Sequence, residues 1–235
     1  MTHERKTQVR KEADARERLI QAGIEAFGHH GFDGASTRRL AAEAGVNIAA
    51  IPYYFGGKEG LYKAVAAHIV ERIRERMASE IAAAHGLAAR EDASQEELIG
   101  GVKGLLAGLT FAMIGTPEAR RWARIIMQEY IKPSETFEIF FQGVVKRLFG
   151  ACGALLTRLT GLPPEGEDMA FLTQAMVGQV LVFRLGEQVL LRRLGQEAVT
   201  PDQVAKLARL VAANAEAIIR GESWRMAASG KGSEA

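Results

Sequence analysis

The sequence has few of the residues on which metal sites, redox sites and disulfide frameworks depend. Its one cysteine, Cys152, lies in a run of small and apolar residues. A single cysteine forms neither an intramolecular disulfide nor a Cys-x-x-Cys metal site, so we expect Cys152 to be a buried small hydrophobic residue. The five histidines lack zinc-ligand spacing, because His29 and His30 are adjacent and the other three stand alone. We therefore expect no metal and no cofactor.

The net charge is also small, and the sequence offers no recognisable catalytic motif. The formal net charge is +2, and residues 1–63 hold ten Lys and Arg against eight Asp and Glu, so the whole excess lies in this first part. Its sign suits nucleic-acid binding, although its size is small. The sequence contains no Gly-x-Ser-x-Gly motif, no phosphate-binding glycine loop and no carboxylate pair with a defined role. These absences favour a protein that is not an enzyme.

No export signal or membrane span is predicted. The N-terminal run MTHERKTQVRKEADARER is charged and precedes no apolar stretch typical of signal peptides. The most apolar later stretch, residues 169–191, is interrupted by polar and charged residues, so we expect no window to reach the composition of a transmembrane helix. We expect a cytoplasmic protein without a membrane partner.

The most informative motif runs from Ser36 to Lys58 and reads STRRLAAEAGVNIAAIPYYFGGK. Its spacing predicts two short helices joined by a tight turn, with Ser36 as the N-cap of the first and Gly45 at the turn. Alanines spaced along both helices allow them to approach closely. This pattern predicts a helix-turn-helix, which lays its second helix in the major groove of DNA.

Apolar residues recur at helical spacing along the rest of the chain, and no strand pattern competes with them. The first helix is expected from about Ala13 to His29, after a frayed N-terminal arm. A long fourth helix begins at Lys58, and the eighth spans about Glu167 to Leu194 without a break. The expected fold is all-α, with about nine helices. Capping signals for the remaining helices lie at Ser94, Thr116, Ser134 and Thr200.

These elements predict two domains. Residues 1–62 are expected to form an N-terminal arm and a helix-turn-helix DNA-binding domain. Residues 63–225 are expected to form a helical effector-binding and dimerisation domain, linked to the first by the long fourth helix. Residues 226–235 are expected to be a disordered tail, because they are polar and rich in Gly and Ser.

Three segments carry a family resemblance, namely RERLIQAGIEAFGHHGFDG in the first helix, AAEAGVN at the turn and YYFGGKEGLY at the start of the fourth helix. Over roughly residues 16–70 the chain resembles the TetR family of bacterial transcriptional regulators. The strings VNIAAI and KPSETF look like its CecR-type subgroup. The resemblance implies a homodimer formed by the last two helices, DNA binding by the helix pair, and a small-molecule effector bound in the C-terminal domain.

One residue departs from the best-known form of the family motif, because Pro52 stands where that form has an aromatic residue. Proline lacks a backbone N–H and biases the preceding residue away from helical geometry. The sequence therefore predicts that the recognition helix ends early and that one phosphate contact is lost.

Candidate DNA-contacting residues lie in and beside the helix pair. The first residues of a recognition helix face base edges, and the helix before it contacts the phosphate backbone. Asn47 either reads a base or caps its own helix, whereas Lys58 lies where a helix N-terminus favours a phosphate. Arg38 and Arg39 point about 100° apart, so only one is expected to face DNA. The candidate set is Ser36, Thr37, Arg38, Asn47, Ile48, Ala49, Ala50, Tyr53, Tyr54 and Lys58.

Large soft side chains with a few polar neighbours between the fifth and eighth helices form the candidate effector site. Ordinary core packing explains any one of these residues equally well. The candidate set is Phe111, Trp122, Met127, Glu129, Phe137, Phe141 and Met176.

Apolar stripes on the last two helices form the candidate dimer surface, with a single hydrophobic core as the alternative. On the eighth helix the stripe consists of Leu181, Leu185 and Val189. On the ninth helix it consists of Val204, Leu207, Val211 and Ile218.

Two functions from different classes fit these features. The first is a ligand-responsive, sequence-specific transcriptional regulator, a repressor released from a palindromic operator by a small molecule. The second is a helical small-molecule-binding protein or enzyme with a vestigial DNA-binding domain. An activator or architectural DNA binder without an effector is not distinguished from the first by sequence.

Overall fold

The structure is a computed structural model that describes residues 3–221, with side chains from residue 12 onward. Those residues form ten helices and no strand, so the predicted all-α class is confirmed. The predicted tail over residues 226–235 lies outside the described residues. The helices are α1 (His3–Gly34), α2 (Thr37–Glu43), α3 (Ala50–Phe55), α4 (Lys58–Ala89), α5 (Gln95–Ile114), α6 (Pro117–Ile131), α7 (Phe137–Thr160, with a π-helical turn over Phe141–Val145), α8 (Glu167–Leu185), α9 (Glu187–Leu194) and α10 (Pro201–Arg220).

The starts of α5, α6 and α10 follow their predicted capping signals, whereas α7 begins at Phe137 with Thr136 as its N-cap, two residues after the predicted cap Ser134. Ser94 Oγ accepts a hydrogen bond from the Glu97 N–H at 3.2 Å, and the Glu97 carboxylate accepts one from the Ser94 N–H at 2.8 Å. Thr200 and Gln203 form the same reciprocal pair at the start of α10. Each pair satisfies two N–H groups that a helix start leaves without a backbone acceptor. The hydrogen bonds from Ser94 also lower the pKa of Glu97.

The predicted boundaries of the first and eighth helices are wrong. The backbone of α1 is helical from His3, so the predicted frayed arm is part of the helix, because this run contains strong helix formers and neither Gly nor Pro. The predicted eighth helix is two helices, α8 and α9, bent by 59° at Gly186. Glycine is a weak helix former, and a buried ion pair between Arg184 and Glu187 joins the two sides of the break.

Packing divides the chain into two compact units. The first unit comprises the described residues up to Arg72 together with Arg120–Gly143. The second unit comprises Ile73–Ala119 and the described residues from Val144 onward. Helix α4 contributes residues to both units. The predicted domain boundary after residue 62 stays a prediction.

The core of the first unit joins α1 to α4. The rings of Phe27 and Tyr62 meet edge to face with centroids 5.0 Å apart, and the rings of Phe32 and Tyr62 do so at 5.2 Å. Gly23 allows the two helices to approach closely, because a Cβ at this position would lie 2.7 Å from Val65 Cγ2. This packing fixes the start of α4 against α1.

The core of the second unit is built on α5, which packs against α7, α8 and α10. Val204 and Val211 of α10 are 2% and 0% exposed, so the predicted α10 stripe lies in this core within one chain. On α8 and α9, by contrast, Leu185 and Val189 are 58% and 65% exposed. The exposed part of the predicted dimer stripe therefore lies on α8 and α9.

Two helices, α5 and α7, are long and apolar enough to cross a membrane by length and composition. The expectation that no window reaches this composition is therefore wrong. In α5, however, 56% of the apolar window is buried within the protein. The apolar residues of α5 serve as core residues, because they contact the other helices of the second unit.

Cys152 is fully buried in α7, as expected. Burial raises the pKa of the Cys152 thiol to about 12, so very little thiolate exists near neutral pH. We expect a thiol reagent such as Ellman's reagent to leave the native protein unlabelled at pH 8 and to label one thiol per chain in denaturant. Stoichiometric labelling of the folded protein within minutes would contradict this burial.

Candidate DNA-binding surface and ligand cavity

The predicted helix pair is confirmed as α2, a tight turn and α3. Ser36 has extended backbone geometry at the N-cap position, and its carbonyl accepts a hydrogen bond from the Leu40 N–H at 2.9 Å. Its hydroxyl makes no capping bond, unlike the expectation, and the side chain is exposed. Gly45 adopts φ 62° at the turn, which favours glycine. Leu40 and Ile51 are buried and hold the pair together.

Pro52 does not shorten the recognition helix. Helix α3 begins at Ala50, about three residues later than predicted, so Pro52 is its third residue and the helix continues to Phe55. The N–H groups of a first helical turn have no intrahelical acceptor, so proline loses no hydrogen bond there. The helix ends at Gly56, where φ is 74°. The predicted early end was wrong because the effect of proline depends on its distance from the helix start.

Asn47 holds the turn that precedes α3, whereas the N-cap residue of α3 is Ala49. The Asn47 Oδ1 accepts a hydrogen bond from the Ala49 N–H at 2.9 Å, and the Asn47 carbonyl accepts one from the Ala50 N–H at 2.9 Å. The predicted capping role is therefore not found at the start of α3, and the predicted contact of Asn47 with a base stays a prediction. The large hydrophobic side chains exposed on this surface are Ile48 and Tyr53, which are 49% and 72% exposed.

The two adjacent arginines of α2 differ in their partners. The Arg39 guanidinium forms an ion pair with Glu43 of the same helix, with Nε and Oε1 2.8 Å apart. Arg38 is exposed beside Thr37, which is half-buried. Arg39 therefore has a partner within α2, and the assignment of Arg38 to DNA stays a prediction.

The remaining candidates lie in α3 or next to it. Ala49 is exposed, whereas Ala50 and Tyr54 are half-buried, and the Tyr53 and Tyr54 rings lie edge to face with centroids 4.9 Å apart. Lys58 Nζ lies 4.6 Å from the centroid of the Phe32 ring. This cation–π contact, which the sequence did not predict, places the ammonium near the start of α4.

A cavity of about 410 Å³ lies within the first unit. Four segments line it: residues 32–33 at the end of α1, residues 59–63 at the start of α4, residues 128–132 at the end of α6, and the following loop to residue 136. Its ionisable side chains are four carboxylates and two lysines. Its volume is within the usual range for small-molecule sites, roughly 300–1,000 Å³.

Glu129 is the most buried ionisable group of this cavity, with 2% exposure. Its carboxylate accepts hydrogen bonds from the Tyr62 hydroxyl at 2.9 Å, the Ser134 hydroxyl at 2.8 Å and the Ser134 N–H at 3.1 Å. Burial and the hydrogen bond to Glu129 raise the pKa of Tyr62, so its hydroxyl keeps its proton and donates. This network ties α4 to the loop after α6.

Glu129 is the member of the predicted effector set that lines this cavity. Trp122 and Met176 are 1% and 0% exposed and fill cores, whereas Phe111 and Phe141 are 47% and 38% exposed. Phe111 and Met176 belong to the second unit, and the other five belong to the first. Met127 and Phe137 are half-buried. The structure thus does not gather the seven residues at one cavity.

Metal binding finds no support in the described part of the chain. Residues 3–221 contain no group of three or more His, Cys, Asp or Glu side chains that could hold a metal ion.

Comparison with known proteins gives two family matches and several relatives. Residues 19–65 match the family described as bacterial regulatory proteins, tetR family. Residues 96–222 match the C-terminal domain of the HTH-type transcriptional dual regulator CecR. CecR of Shigella flexneri is 30% identical over 219 residues, which are 92% of this chain and 96% of the relative.

A second relative and a solved structure support the same assignment of domain and fold. The HTH-type transcriptional regulatory protein RaaS of Mycobacterium tuberculosis is 43% identical over 67 residues, which are 28% of this chain and 31% of the relative. A crystal structure of a transcriptional regulator from Rhodococcus sp. Rha1 shares the fold with a TM-score of 0.59 and 16% identity. The match covers 88% of this chain and 96% of the Rhodococcus chain.

Proposed function

Because this chain belongs to the TetR family of bacterial regulatory proteins, with a CecR-type C-terminal domain, we propose how it recognises DNA and how it is released. It is a DNA-binding transcriptional regulator. We propose that two copies bind a palindromic operator as a repressor and that a small molecule releases them. In this proposal residues 1–62 bind DNA, and residues 63–225 bind the second copy and supply effector-binding residues. The observation that carries the proposal is the exposed α2–α3 surface on a buried hydrophobic support.

The proposed DNA contacts divide by chemistry. Ile48 and Ala49, at the start of the recognition helix, offer apolar contact to base edges, since a thymine methyl is an apolar target in the major groove. Ser36, Thr37, Arg38, Tyr53 and Tyr54 offer hydroxyl or guanidinium donors to phosphates. Asn47 and Ala50 orient α3, because their hydrogen bond begins it. Lys58 offers its ammonium at the N-terminus of α4.

Selection of bound duplexes from a random pool tests this proposal at moderate salt. We expect a palindromic motif whose half-sites are about one helical turn apart, since a dimer presents two recognition helices. Recovery of no symmetric motif, or binding with no dependence on salt concentration, would count against the proposal.

The adjacent arginines of α2 provide a matched test of phosphate binding. We expect Arg38→Ala to lower operator affinity across sequences and to reduce the slope of log affinity against log salt by about 1 per contact. Arg39→Ala removes the same charge from the next position, but Arg39 is paired with Glu43, so we expect a smaller loss. The measurement is fluorescence anisotropy with a labelled operator at several salt concentrations. Equal losses in the two variants would contradict the assignment of Arg38.

The proposed direction of regulation is repression. The full-length relative from Shigella flexneri is described as a dual regulator, so a reporter assay must measure both directions. We expect expression from the operator to rise when the gene is deleted and to fall when it is restored. A fall on deletion would identify an activator. The proposal also includes a cytoplasmic location, no membrane partner, no cofactor and no enzymatic activity.

A further inference from the structure

We propose that the cavity formed by the ends of α1 and α6, the start of α4 and the loop to residue 136 binds a small organic cation with a protonated amine and an apolar body. This inference rests on the proposed function for its effect on DNA. The binding site itself stands on the cavity alone. All of the lining residues belong to the first compact unit.

The charge of the cavity selects the sign of the ligand. Asp33, Glu59, Glu129 and Glu135 oppose Lys63 and Lys132, so the lining carries an excess of negative charge. Lys63 is already paired with Glu135, with Nζ and Oε2 2.7 Å apart. A cationic ligand would reduce this excess, whereas an anionic ligand would increase it.

Glu129 supplies the strongest feature for an amine. Its carboxylate is buried, and its hydrogen-bond donors are the neutral Tyr62 and Ser134 groups. Among the described side chains of residues 12–221, no Lys, Arg or His nitrogen forms an ion pair with it within 4.0 Å, so its hydrogen-bond partners are neutral groups. A carboxylate has about four lone-pair directions, so three donors leave one for an N–H of the ligand. A charge-assisted hydrogen bond at this position is stronger than a neutral one.

Aromatic rings supply the apolar part of the site. Phe32 and Tyr62 line the cavity and are packed edge to face. The Phe32 ring already holds one ammonium, that of Lys58, 4.6 Å from its centroid. Aromatic faces attract cations, and they also cover the hydrocarbon part of a ligand. The cavity therefore combines a buried carboxylate with rings that favour an amphipathic amine.

The same residues connect the cavity to the DNA-binding surface. Lys58 Nζ lies 3.4 Å from the backbone oxygen of Asp33, and both Phe32 and Asp33 line the cavity. A cation beside Phe32 and Asp33 would repel the Lys58 ammonium and displace it from these contacts. Because Lys58 is the proposed phosphate contact at the start of α4, ligand binding is expected to lower operator affinity. A coupling in the usual range would lower it by about 5- to 150-fold.

Isothermal titration calorimetry of the full chain without DNA tests the site. The probes are 4-phenylbutylamine, 4-phenylbutanol and 4-phenylbutanoate, which share one apolar body and differ in charge. We expect the amine to bind one molecule per chain, and the alcohol and the carboxylate to bind at least about tenfold more weakly. Equal affinity for amine and alcohol, or no binding of the amine, would overturn the proposal.

Two variants and one control locate the binding. Glu129→Gln is expected to weaken amine binding by about tenfold. The double variant Asp33→Asn, Glu59→Gln keeps the Glu129 network and is expected to weaken amine binding by about two- to fivefold. This second variant tests the site even if Glu129→Gln fails to fold. Glu138→Gln removes an exposed carboxylate of the same unit outside the cavity and is expected to change nothing. Wild-type affinity in both cavity variants would refute the site.

Operator affinity, measured separately by anisotropy, distinguishes failure of the proposed function from failure of the proposed binding site. An amine that binds a chain without operator affinity would refute the proposed function and support the site. Operator binding by a chain that takes up no amine would refute the site and support the function. An amine that binds and leaves operator affinity unchanged would refute the coupling through Lys58.

Discussion

Replacing Gly60 by alanine is expected to disrupt the junction between the recognition helix and α4. A Cβ at this position would lie 1.7 Å from the Phe55 carbonyl oxygen and 2.8 Å from its carbonyl carbon. Both atoms are backbone, so no side-chain rotation relieves the clash. Because Phe55 is the last residue of α3, relief of the clash requires the backbone at the end of α3 to move relative to α4. We expect the free energy of unfolding to fall by about 3 kcal/mol, the upper end of the usual range for overpacking.

The turn before Gly60 makes such a movement costly. Gly56 and Gly57 have φ values of 74° and 140°, which hold the chain in a tight turn that brings Phe55 over the first turn of α4. Any shift of α3 also misplaces Tyr53, an exposed aromatic side chain of the recognition helix, and Ile48 in the turn before it. Operator affinity is therefore expected to be lost even under conditions where Gly60→Ala remains folded.

Gly86→Ala is the matched control for Gly60→Ala. Gly86 lies in the same helix, and a Cβ there would meet no atom within 4 Å. Alanine is the better helix former, so this variant is expected to gain about 0.5–1 kcal/mol. Thermal unfolding followed by circular dichroism, together with operator anisotropy, measures both variants. A Gly60→Ala protein with wild-type stability and operator affinity would disprove the close approach.

Local signals made the helix starts predictable. A capping box depends on residues three positions apart, so Ser94 with Glu97 and Thr200 with Gln203 could be identified without knowledge of the fold. The turn glycine of the helix pair was predictable for the same reason, since a positive φ favours glycine wherever it occurs. The resemblance then assigned these elements to a family that the comparisons confirm.

Features that depend on where a helix begins or on what covers it were not predictable. In a helix that began at Asn47, Pro52 would lie in the second turn and interrupt the backbone hydrogen bonds. In the helix that begins at Ala50, Pro52 lies in the first turn and is harmless. The α10 stripe has the same period whether it packs on α5 or on a second copy. Val204 and Val211 show that it packs on α5.

The cavity was missed because its segments are far apart in the sequence. Residues 32–33, 59–63 and 128–136 meet only after α1, α4 and α6 pack together. The predicted effector set used large soft side chains as its signal, and that signal identifies cores as well as ligand sites. Trp122 and Met176 are such core residues, since both are almost fully buried. Glu129 entered the set as a polar neighbour, and its hydrogen bonds to Tyr62 and Ser134 were not predictable.

The double variant Leu185→Asp, Val189→Asp is expected to convert the proposed dimer to a monomer. Large apolar side chains remain exposed on α8, α9 and α10, and a second copy that covers them would remove this apolar surface from water. Those more than 45% exposed in the second unit, apart from Phe111 on α5, are Phe171, Val182, Leu185, Val189, Leu194 and Leu210. Burying one such side chain against a second copy contributes about 1.5–3 kcal/mol, and a buried carboxylate at the same place opposes association.

Loss of the dimer is expected to have a large effect on DNA binding. A monomer contacts one half-site, whereas a dimer holds the second recognition helix beside its half-site at a high effective concentration. We therefore expect operator affinity to fall by about 100-fold or more, with little change in affinity for an isolated half-site. Sedimentation equilibrium measures the oligomeric state, and anisotropy with full and half operators measures the two affinities.

Ile131→Asp provides the control for this experiment. Ile131 is 77% exposed and lies in the first unit, so the variant introduces the same carboxylate at an exposed apolar position outside the α8–α9 surface. We expect it to remain a dimer with wild-type affinity for the full operator. Two results would refute the α8–α9 interface: a wild-type chain that is monomeric at micromolar concentration, or a double variant that remains dimeric. A double variant that is monomeric yet binds the full operator with wild-type affinity would instead show that DNA recognition does not require the dimer.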